Sequence, residues 1–431
     1  NAGRLLADEN LSAPIQVDTS IIKSKDNVLK IASGLNSWQP LGVSAHEGEE
    51  LAVYVGRPNT AIGANTQVRL IASQYHAESG NWNKVIVANL KQGQNIVVMP
   101  AISSLDVEHG GSLYVEFIGT NSSLNIQVRV SGGTKIPMLD LSRADGEAEK
   151  RAAVTAYVEE LNAYVPKLKE MHDSQHLNQD DSHCNYKYDK QNCILGATEI
   201  VLDKVMYSVS AEQILKGISS KAENGSVEEQ AEVLYQSLEA MEQMVTLFYQ
   251  HKGLTDQAVP ENYGAGNSFP VSRLNIRYMR MFAGAFMYAG GLHIGIEWGS
   301  IPGLAKSQPV VSDNGKYVSG QLFGWGIAHE IGHIINQPDY AIAEITNNYF
   351  SILAQADETN DKVRFKYADV YEKVTSGTKG RASSVFTSLA MYWQLHLAYD
   401  NGYNYKTYED YSEQFDNLFF ARVDAYARNT S

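Results

Sequence analysis

The hydrophobic period of the sequence changes once, near residue 138, and this change limits the folds that the chain can adopt. From about residue 18 to 135, short strand-like runs alternate with turns that contain Gly, Pro and Asn, a pattern typical of a β-sandwich or barrel. Beyond the change, apolar residues such as Ala153, Tyr157 and Leu161 recur at helical spacing behind an acidic first turn. The sequence therefore predicts an all-β part followed by a part rich in helices.

The length of 431 residues is sufficient for two to three domains. We predict a multidomain chain with a linker or leader remnant over residues 1–17, an all-β sandwich over 18–137 and a second domain over 138–431. Two strand-like runs, RLNIRYM and LHIGIEW, lie between helical segments of the second domain, which is therefore predicted to be α+β. Its later helices are predicted at about 227–251, 322–336, 339–355 and 384–399.

The composition predicts a folded protein without nucleic-acid partners or a membrane span. Hydrophobic residues make up 44% and charged residues 19% of the chain, far from the composition of disordered chains. The formal net charge of −14 argues against nucleic acid, because phosphate binding needs clustered Lys and Arg. No run of 18 or more apolar residues occurs, and the first residues lack the layout of a signal peptide. A targeting segment that has been removed is compatible with this pattern.

The two cysteines, Cys184 and Cys193, flank a short polar segment. This spacing suits a small disulfide-closed loop, and the second pair that a structural zinc site would need is missing from the sequence. We predict a disulfide and therefore export, with two unpaired thiols as the alternative.

The most informative motif is His-Glu-x-x-His, formed by His329, Glu330 and His333 in a segment with helical periodicity. The i,i+4 spacing places both imidazoles on one helix face, one turn apart. Two such imidazoles can chelate Zn²⁺, which in catalytic sites takes a third protein ligand and keeps one position for water. We predict one zinc ion here; a surface helix that carries these residues by chance is the alternative.

Glu344 is the predicted third ligand. Residues 337–339 (QPD) interrupt the helix, and Asp339 is a candidate N-cap for a second helix that would carry Glu344. A short helix-turn-helix can return this carboxylate to the two imidazoles. Glu330 points to the neighbouring side of its own helix, so we predict that it is the general base toward the water that the metal activates.

Three further residues near the motif are candidates for supporting roles. Asn347 and Asn348 follow Glu344 by three and four residues, and one of their amide oxygens could accept the outer N–H of a ligand imidazole. An exposed helix surface is an equally good explanation for these asparagines. Gly332, between the two histidines, weakens a helix, and close packing of another backbone is one reason for a glycine at this position.

A Gly-flanked strand over residues 290–299 is the candidate for an edge strand that binds an extended substrate. His293 and Glu297 alternate onto one of its faces and could both line a cleft, although such residues are more often solvated. Glu297 could also capture a substrate α-amine, which would make the protein an aminopeptidase. The helix predicted at 384–399 offers three candidate oxyanion donors, between which the sequence does not decide: Tyr392, His396 and Tyr399.

Three stretches of the sequence resemble the enhancin-like zinc metallopeptidases, peptidase family M60. They are GWGIAHEIGH with AEITNNYFS, the preceding YAGGLHIGIEWGS, and the downstream MYWQLHLAY. The resemblance runs from about residue 140 to the end and extends loosely to SWQPLGVSAHEGEELAVYVG, which looks like the β-sandwich that often precedes this catalytic domain. It implies a gluzincin-type domain in which His329, His333 and Glu344 hold zinc and Glu330 is the base.

The resemblance also implies a substrate class. It indicates a secreted or cell-surface bacterial endopeptidase that cleaves O-glycosylated, mucin-like proteins beside a glycosylated Ser or Thr, with host glycans as partners. The sequence leaves the oligomeric state open, and we expect a monomer. Trp325, one turn before His329, is then a candidate contact for the substrate sugar, with a core position as the alternative, and Arg381 is a weaker candidate. A glycan-binding adhesin with an inactive metal site is a third hypothesis, against which the intact Glu330 argues.

Overall fold

The computed structural model describes residues 12–31, 34–56, 65–74, 84–102, 108–120, 122–176, 187–257, 267–281, 285–306, 324–355, 364–376, 384–401 and 408–430. In these residues the chain forms three β-sheets and ten α-helices. None of these helices is both long enough and apolar enough to cross a membrane.

The N-terminal part of the chain forms two antiparallel sheets. The four-stranded sheet has the order β1-β8-β3-β6 and the five-stranded sheet has the order β5-β4-β7-β2-β9. The strands are β1 (Ile15–Val17), β2 (Trp38–His46), β3 (Glu50–Gly56), β4 (Gln67–Ser73), β5 (Lys84–Leu90), β6 (Gly93–Val98), β7 (Gly110–Ile118), β8 (Ile126–Ser131) and β9 (Thr134–Lys135).

One apolar cluster lies between these two sheets. Alternate residues of β3, namely Leu51, Val53 and Val55, are buried in this cluster, because successive side chains of a strand point to opposite faces. Residues of β2, β4, β7 and β8 also belong to it. Strand β1 pairs with β8, so the prediction that the linker extends to residue 17 is wrong: Ile15–Val17 is an edge strand.

The second part of the chain is built on a six-stranded mixed sheet, as the α+β prediction requires. Its strands are β10 (Met138–Asp140), β11 (Ala197–Val201), β12 (Val205–Ser210), β13 (Leu274–Tyr278), β14 (Met287–Gly290) and β15 (His293–Ile296), in the order β10-β11-β12-β13-β15-β14. Strands β13 and β15 are parallel, whereas β14 and β15 form an antiparallel hairpin. Among the described strands, β14 therefore lies at the edge and β15 lies inside the sheet.

Helices cover one face of this sheet and form the largest apolar cluster with it. The helix predicted over 227–251 is confirmed, and a capping box between Ser226 and Glu229 marks its start. The helix predicted over 384–399 is also confirmed. The helices are α1 (Gly146–Tyr164), α2 (Leu168–His176), α3 (Ala211–Ser219), α4 (Val227–His251), α5 (Gly324–Ile335), α6 (Asn348–Gln355), α7 (Tyr367–Thr375), α8 (Val385–Tyr399), α9 (Tyr411–Asn417) and α10 (Phe419–Thr430).

The opposite face of the six-stranded sheet is polar and packs on the five-stranded N-terminal sheet. The Tyr114 hydroxyl, from β7, donates a hydrogen bond to the Glu199 carboxylate of β11. Ser208 donates to the same carboxylate at 2.7 Å, and Arg277 donates to the Tyr114 oxygen at 3.1 Å. All four side chains are buried. Because a hydrogen-bonded buried layer tolerates few alternative arrangements, it fixes how the N-terminal sheets sit on the second part.

Candidate active site

Helix α5 carries His329, Glu330 and His333, as the motif predicted. The apolar side of this helix is buried in the core, which leaves its polar side facing a cleft. The two histidines are half-buried, whereas Glu330 is only 9% exposed.

Glu344 lies in a turn, not on a second helix. Helix α6 begins only at Asn348, so the helix predicted from residue 339 is wrong in its first part. Asp339 caps no helix, and its carboxylate pairs with Lys30 Nζ at 3.1 Å. Glu344 has the left-handed φ of 67°, which costs a non-glycine residue about 1–2 kcal/mol and which interrupts the helix. In this conformation the Glu344 carboxylate reaches both imidazoles.

The donor atoms of these three side chains converge. His329 Nε2 lies 3.0 Å from His333 Nε2, and the two Glu344 carboxylate oxygens lie 3.4 Å and 3.1 Å from His329 Nε2 and His333 Nε2. Ligands at about 2.0–2.1 Å from a tetrahedral zinc ion are about 3.4 Å apart. The donor set and its spacing therefore fit a zinc ion. Burial and the adjacent His329 also lower the pKa of His333, which favours the neutral, ligating form.

The residue that orients one of these imidazoles is Asn348. Its Oδ1 accepts a hydrogen bond from His329 Nδ1 at 2.6 Å, and its Nδ2 donates to the Glu344 carbonyl at 2.7 Å. The first contact leaves the lone pair of His329 Nε2 directed to the metal position. The Asn347 amide lies 3.2 Å from His333 Nε2 and donates to the His329 carbonyl at 3.4 Å. Both asparagines are buried, so the exposed-surface explanation is wrong.

Gly332 permits the close approach of the two segments that carry the ligands. A Cβ atom at this position would lie only 2.3 Å from the Asn347 carbonyl oxygen. Another backbone therefore does pack against this glycine, which is the reason that the sequence suggested for its place inside the helix.

Glu330 lies where the motif predicted a base. Burial raises the pKa of its carboxyl group, an effect that the neighbouring His329 and a hydrogen bond from the Ala289 backbone partly oppose. Glu330 lines a cavity of about 370 Å³ together with the three candidate ligands and three residues of β14: Met287, Tyr288 and Ala289.

The position of β14 corrects the predicted substrate strand. The strand proposed within residues 290–299 is β15, which is paired on both sides, so it has no open edge. Its partner β14, at the edge of the described sheet, borders the cavity instead. The sequence MYAG-GL-HIGI does carry a signal for this arrangement, because two short strand-like runs separated by two residues predict a hairpin.

His293 and Glu297 are structural residues and do not line the cavity. His293 is buried, and burial lowers its pKa to about 4; its Nε2 accepts from the Tyr288 hydroxyl at 2.7 Å. The Glu297 carboxylate caps the 3-10 helix at Trp298–Ala305, where it accepts from the Gly299 amide at 2.6 Å. Neither side chain lines the described cavity, which argues against both predicted substrate contacts and against the aminopeptidase alternative that depends on Glu297.

The remaining predicted residues lie away from the described cavity or outside the described chain. Trp325 is partly buried at the start of α5, and the Arg364 guanidinium covers its ring at 4.3 Å. Arg381 and Cys184 lie outside the described residues. The predicted disulfide thus stays a prediction, while Cys193 is buried beside Leu168.

A second cluster of possible metal ligands, His251, His396 and Asp400, lies in the core. The Tyr349 hydroxyl sits between its two rings, 2.8 Å from His251 Nδ1 and 3.2 Å from His396 Nδ1. His396 Nδ1 lies 2.6 Å from Asp400 Oδ2. Because the Tyr349 hydroxyl lies within hydrogen-bond distance of both rings and occupies the space between them, we interpret the cluster as part of the polar core. Because His396 is buried in this cluster and does not line the described cavity, it is a poor candidate for the oxyanion donor.

Several solved metallopeptidases have a similar fold. The ZmpB metallopeptidase from Clostridium perfringens is 20% identical, with a TM-score of 0.65 over 96% of this chain and 71% of that chain. The M60 catalytic domain of ZmpC from the same organism, solved in complex with the sialyl T antigen, is 21% identical, with a TM-score of 0.63 over 97% of this chain and 77% of that chain. A metallopeptidase from Bacteroides thetaiotaomicron is 16% identical, with a TM-score of 0.56 over 94% of this chain and 57% of that chain. No curated protein sequence matches significantly.

The family model described as Peptidase M60, enhancin and enhancin-like, matches residues 218–417. This segment contains helix α5, Glu344, strand β14 and helix α8, and hence all of the converging donor atoms. The chain therefore carries an enhancin-like M60 peptidase domain and is a metallopeptidase.

Proposed function

We propose that the chain is a secreted, zinc-dependent endopeptidase that cleaves O-glycosylated, mucin-like proteins beside a glycosylated Ser or Thr. The observation that carries this proposal is the convergence of two imidazoles and one carboxylate next to a buried second carboxylate, in a cavity that a strand edge borders. His329, His333 and Glu344 would hold the ion. When bound, zinc supplies Lewis acidity, which lowers the pKa of water and polarises a carbonyl.

Glu330 moves the proton in this proposal. Because burial raises its pKa, it is a stronger base than an exposed carboxylate. It accepts the proton released as water attacks the carbonyl carbon of the scissile bond. It then gives that proton to the amine nitrogen as the carbon–nitrogen bond breaks, so that it returns to its starting state.

Strand β14 is the proposed binding surface for the peptide. An extended substrate would add to its outer edge through backbone hydrogen bonds, the mode known as β-augmentation. Ala289, on this strand, lines the cavity together with Glu330, so a peptide on β14 would lie beside the base. Among the described residues that line the cavity, the only carboxylates are Glu330 and Glu344. Neither is available to anchor a substrate α-amine, which favours an endopeptidase over an aminopeptidase.

The glycan part of the proposal depends on the family resemblance and on the ZmpC domain, which was solved with the sialyl T antigen. Trp325 and Arg381 stay candidate contacts for the sugar. The guanidinium of Arg364 covers one face of the Trp325 ring, so a sugar would contact the other face or displace Arg364.

The test is a comparison of a defined O-glycopeptide with its sugar-free twin, with fragments identified by mass spectrometry. We expect cleavage of the glycopeptide beside the glycosylated residue, little cleavage of the twin, and loss of activity with a chelator. Glu330→Gln serves as the matched control that keeps the metal ligands. Equal cleavage of both peptides would remove the glycan from the mechanism, and cleavage that persists in Glu330→Gln would contradict the role of the base.

A further inference from the structure

The hairpin that carries β14 ends in a residue with an unfavourable backbone conformation. Gly291 and Leu292 connect β14 to β15, where Gly290 pairs with His293, and Leu292 has the left-handed φ of 72°. A branched side chain rarely adopts this region, and Gly or Asn would occupy it at lower cost. The presence of leucine at the tip indicates that its side chain makes contacts that offset the strain.

Those contacts lie in the N-terminal part of the chain. Leu292 packs against Trp38, Ile71 and Tyr114, which form a small buried cluster on the outer face of the five-stranded sheet. Gly34 makes room for it: a Cβ atom on Gly34 would lie 2.9 Å from Leu292 Cδ2. The tip of the hairpin is therefore seated in a socket formed by Gly34, Trp38, Ile71 and Tyr114, which we call the tip socket.

The hairpin between its tip and the cavity is stiff. The Tyr288 ring lies over Gly295, where any Cβ atom would come within 2.1 Å of the ring. Its hydroxyl donates to His293 Nε2 at 2.7 Å, and His293 Nδ1 lies 3.1 Å from the Gly291 carbonyl, to which it donates. Burial keeps His293 neutral, which is consistent with these roles. These contacts connect the tip of the hairpin to β14.

The same strand meets the base at its other side. Ala289, three residues from Leu292, lines the cavity together with Met287, Tyr288 and Glu330. The tip socket and the cavity are therefore connected by one short strand.

We propose that Leu292 is a positioning residue through which the N-terminal sheets hold the substrate-binding edge of β14 at its place beside Glu330. This inference rests on the proposed function in that it takes β14 to be the peptide-binding strand. If it holds, the N-terminal sheets contribute to peptide cleavage and are not an independent module.

Three variants test the proposal from both sides of the contact. Leu292→Ala removes the side chain and keeps the strained backbone, whereas Leu292→Gly removes both. Gly34→Ala leaves the hairpin sequence unchanged and places a Cβ atom 2.9 Å from Leu292 Cδ2, so that the leucine side chain must shift in the socket. Val97→Ala is the matched control for loss of an apolar contact in the N-terminal part. Val97 lies on β6, the edge strand of the four-stranded sheet, and packs on the apolar cluster between the two N-terminal sheets.

We expect all three variants to raise KM for an extended peptide by about five- to tenfold, the range for loss of one backbone hydrogen bond, with a smaller change in kcat and unchanged zinc content. We also expect faster amide hydrogen exchange in β14, and neither change in Val97→Ala. Wild-type KM and wild-type exchange in Leu292→Gly and Gly34→Ala would overturn the proposal. An increase of KM in Val97→Ala equal to that in Leu292→Ala would also overturn it, because the effect would then reflect stability alone.

Hydrogen exchange separates this inference from the proposed function. If the wild-type protein cleaves no peptide, the proposed function fails, yet the exchange of β14 in Gly34→Ala still reports whether the tip socket holds the strand. If the wild-type protein cleaves as expected and β14 is unaffected in the variants, only the positioning role fails.

Discussion

Replacement of Gly332 by alanine tests how strictly the backbone of the metal site is packed. An added Cβ atom would lie 2.3 Å from the Asn347 carbonyl oxygen, 2.9 Å from its carbonyl carbon and 3.0 Å from its Cα. All three neighbours are backbone atoms, so no flexible side chain can move aside. The segment after Glu344 must shift by about 1 Å to reach ordinary contact distance.

Two opposing effects set the expected size of the change. Alanine improves the helix by up to about 1 kcal/mol relative to glycine, whereas overpacking in a rigid site costs about 1–3 kcal/mol. We expect a net loss of stability of up to about 2 kcal/mol. The shift also displaces Glu344 and Asn348 from the imidazoles, so zinc affinity should fall by about 10- to 100-fold, as for other losses of supporting contacts.

The assay is competition for zinc with a chelator of known affinity, together with urea unfolding. Gly326→Ala, on the same helix, is the matched control, because its Cβ atom would meet only the ends of Met287 and Phe286 at 3.1 Å and 3.2 Å. We expect this control to bind zinc as the wild type does. Wild-type zinc affinity in Gly332→Ala would refute the reasoning that the close backbone approach determines ligand placement.

Three further predictions concern the metal site and the buried layer between the five-stranded and six-stranded sheets. Glu330→Gln should keep its zinc and lose activity by about 10²- to 10⁴-fold, and a variant that loses the metal instead would show that Glu330 is needed to hold it. Asn348→Ala should weaken zinc binding by about 10- to 100-fold, because the His329 ring loses the acceptor at 2.6 Å; chelator competition measures this, and unchanged affinity would contradict the orienting role. Burial raises the pKa of Glu199 to about 7, so the folded state holds more protons than the unfolded state between about pH 4.5 and 7. The free energy of unfolding should therefore fall by up to about 3 kcal/mol as the pH rises through that range. Glu199→Gln should lack this part of the decline in urea unfolding, and an identical pH dependence of the two proteins would rule the assignment out.

The sequence determined the metal-binding helix, because helical geometry is local. An i,i+4 pair of histidines on an amphipathic helix must share a face, and no distant contact is needed to predict that His329 and His333 converge. The family resemblance and the spacing to Glu344 likewise depend on residues close together in the chain. The sequence also suggested close packing at Gly332 as one reason for a glycine inside a helix.

Tertiary structure decided how the rest of the site is assembled. The local sequence suggested a second helix from residue 339, but the left-handed φ of Glu344, held by its position over both imidazoles, delays that helix to Asn348. The two-residue spacing indicates that β14 and β15 form a hairpin. The pairing of β15 with β13 is long-range, so the sequence could not indicate that β15 lies inside the sheet and that His293 is buried. The seat of Leu292 in the tip socket depends on residues more than 170 positions away in the chain, and only the folded chain brings these residues together.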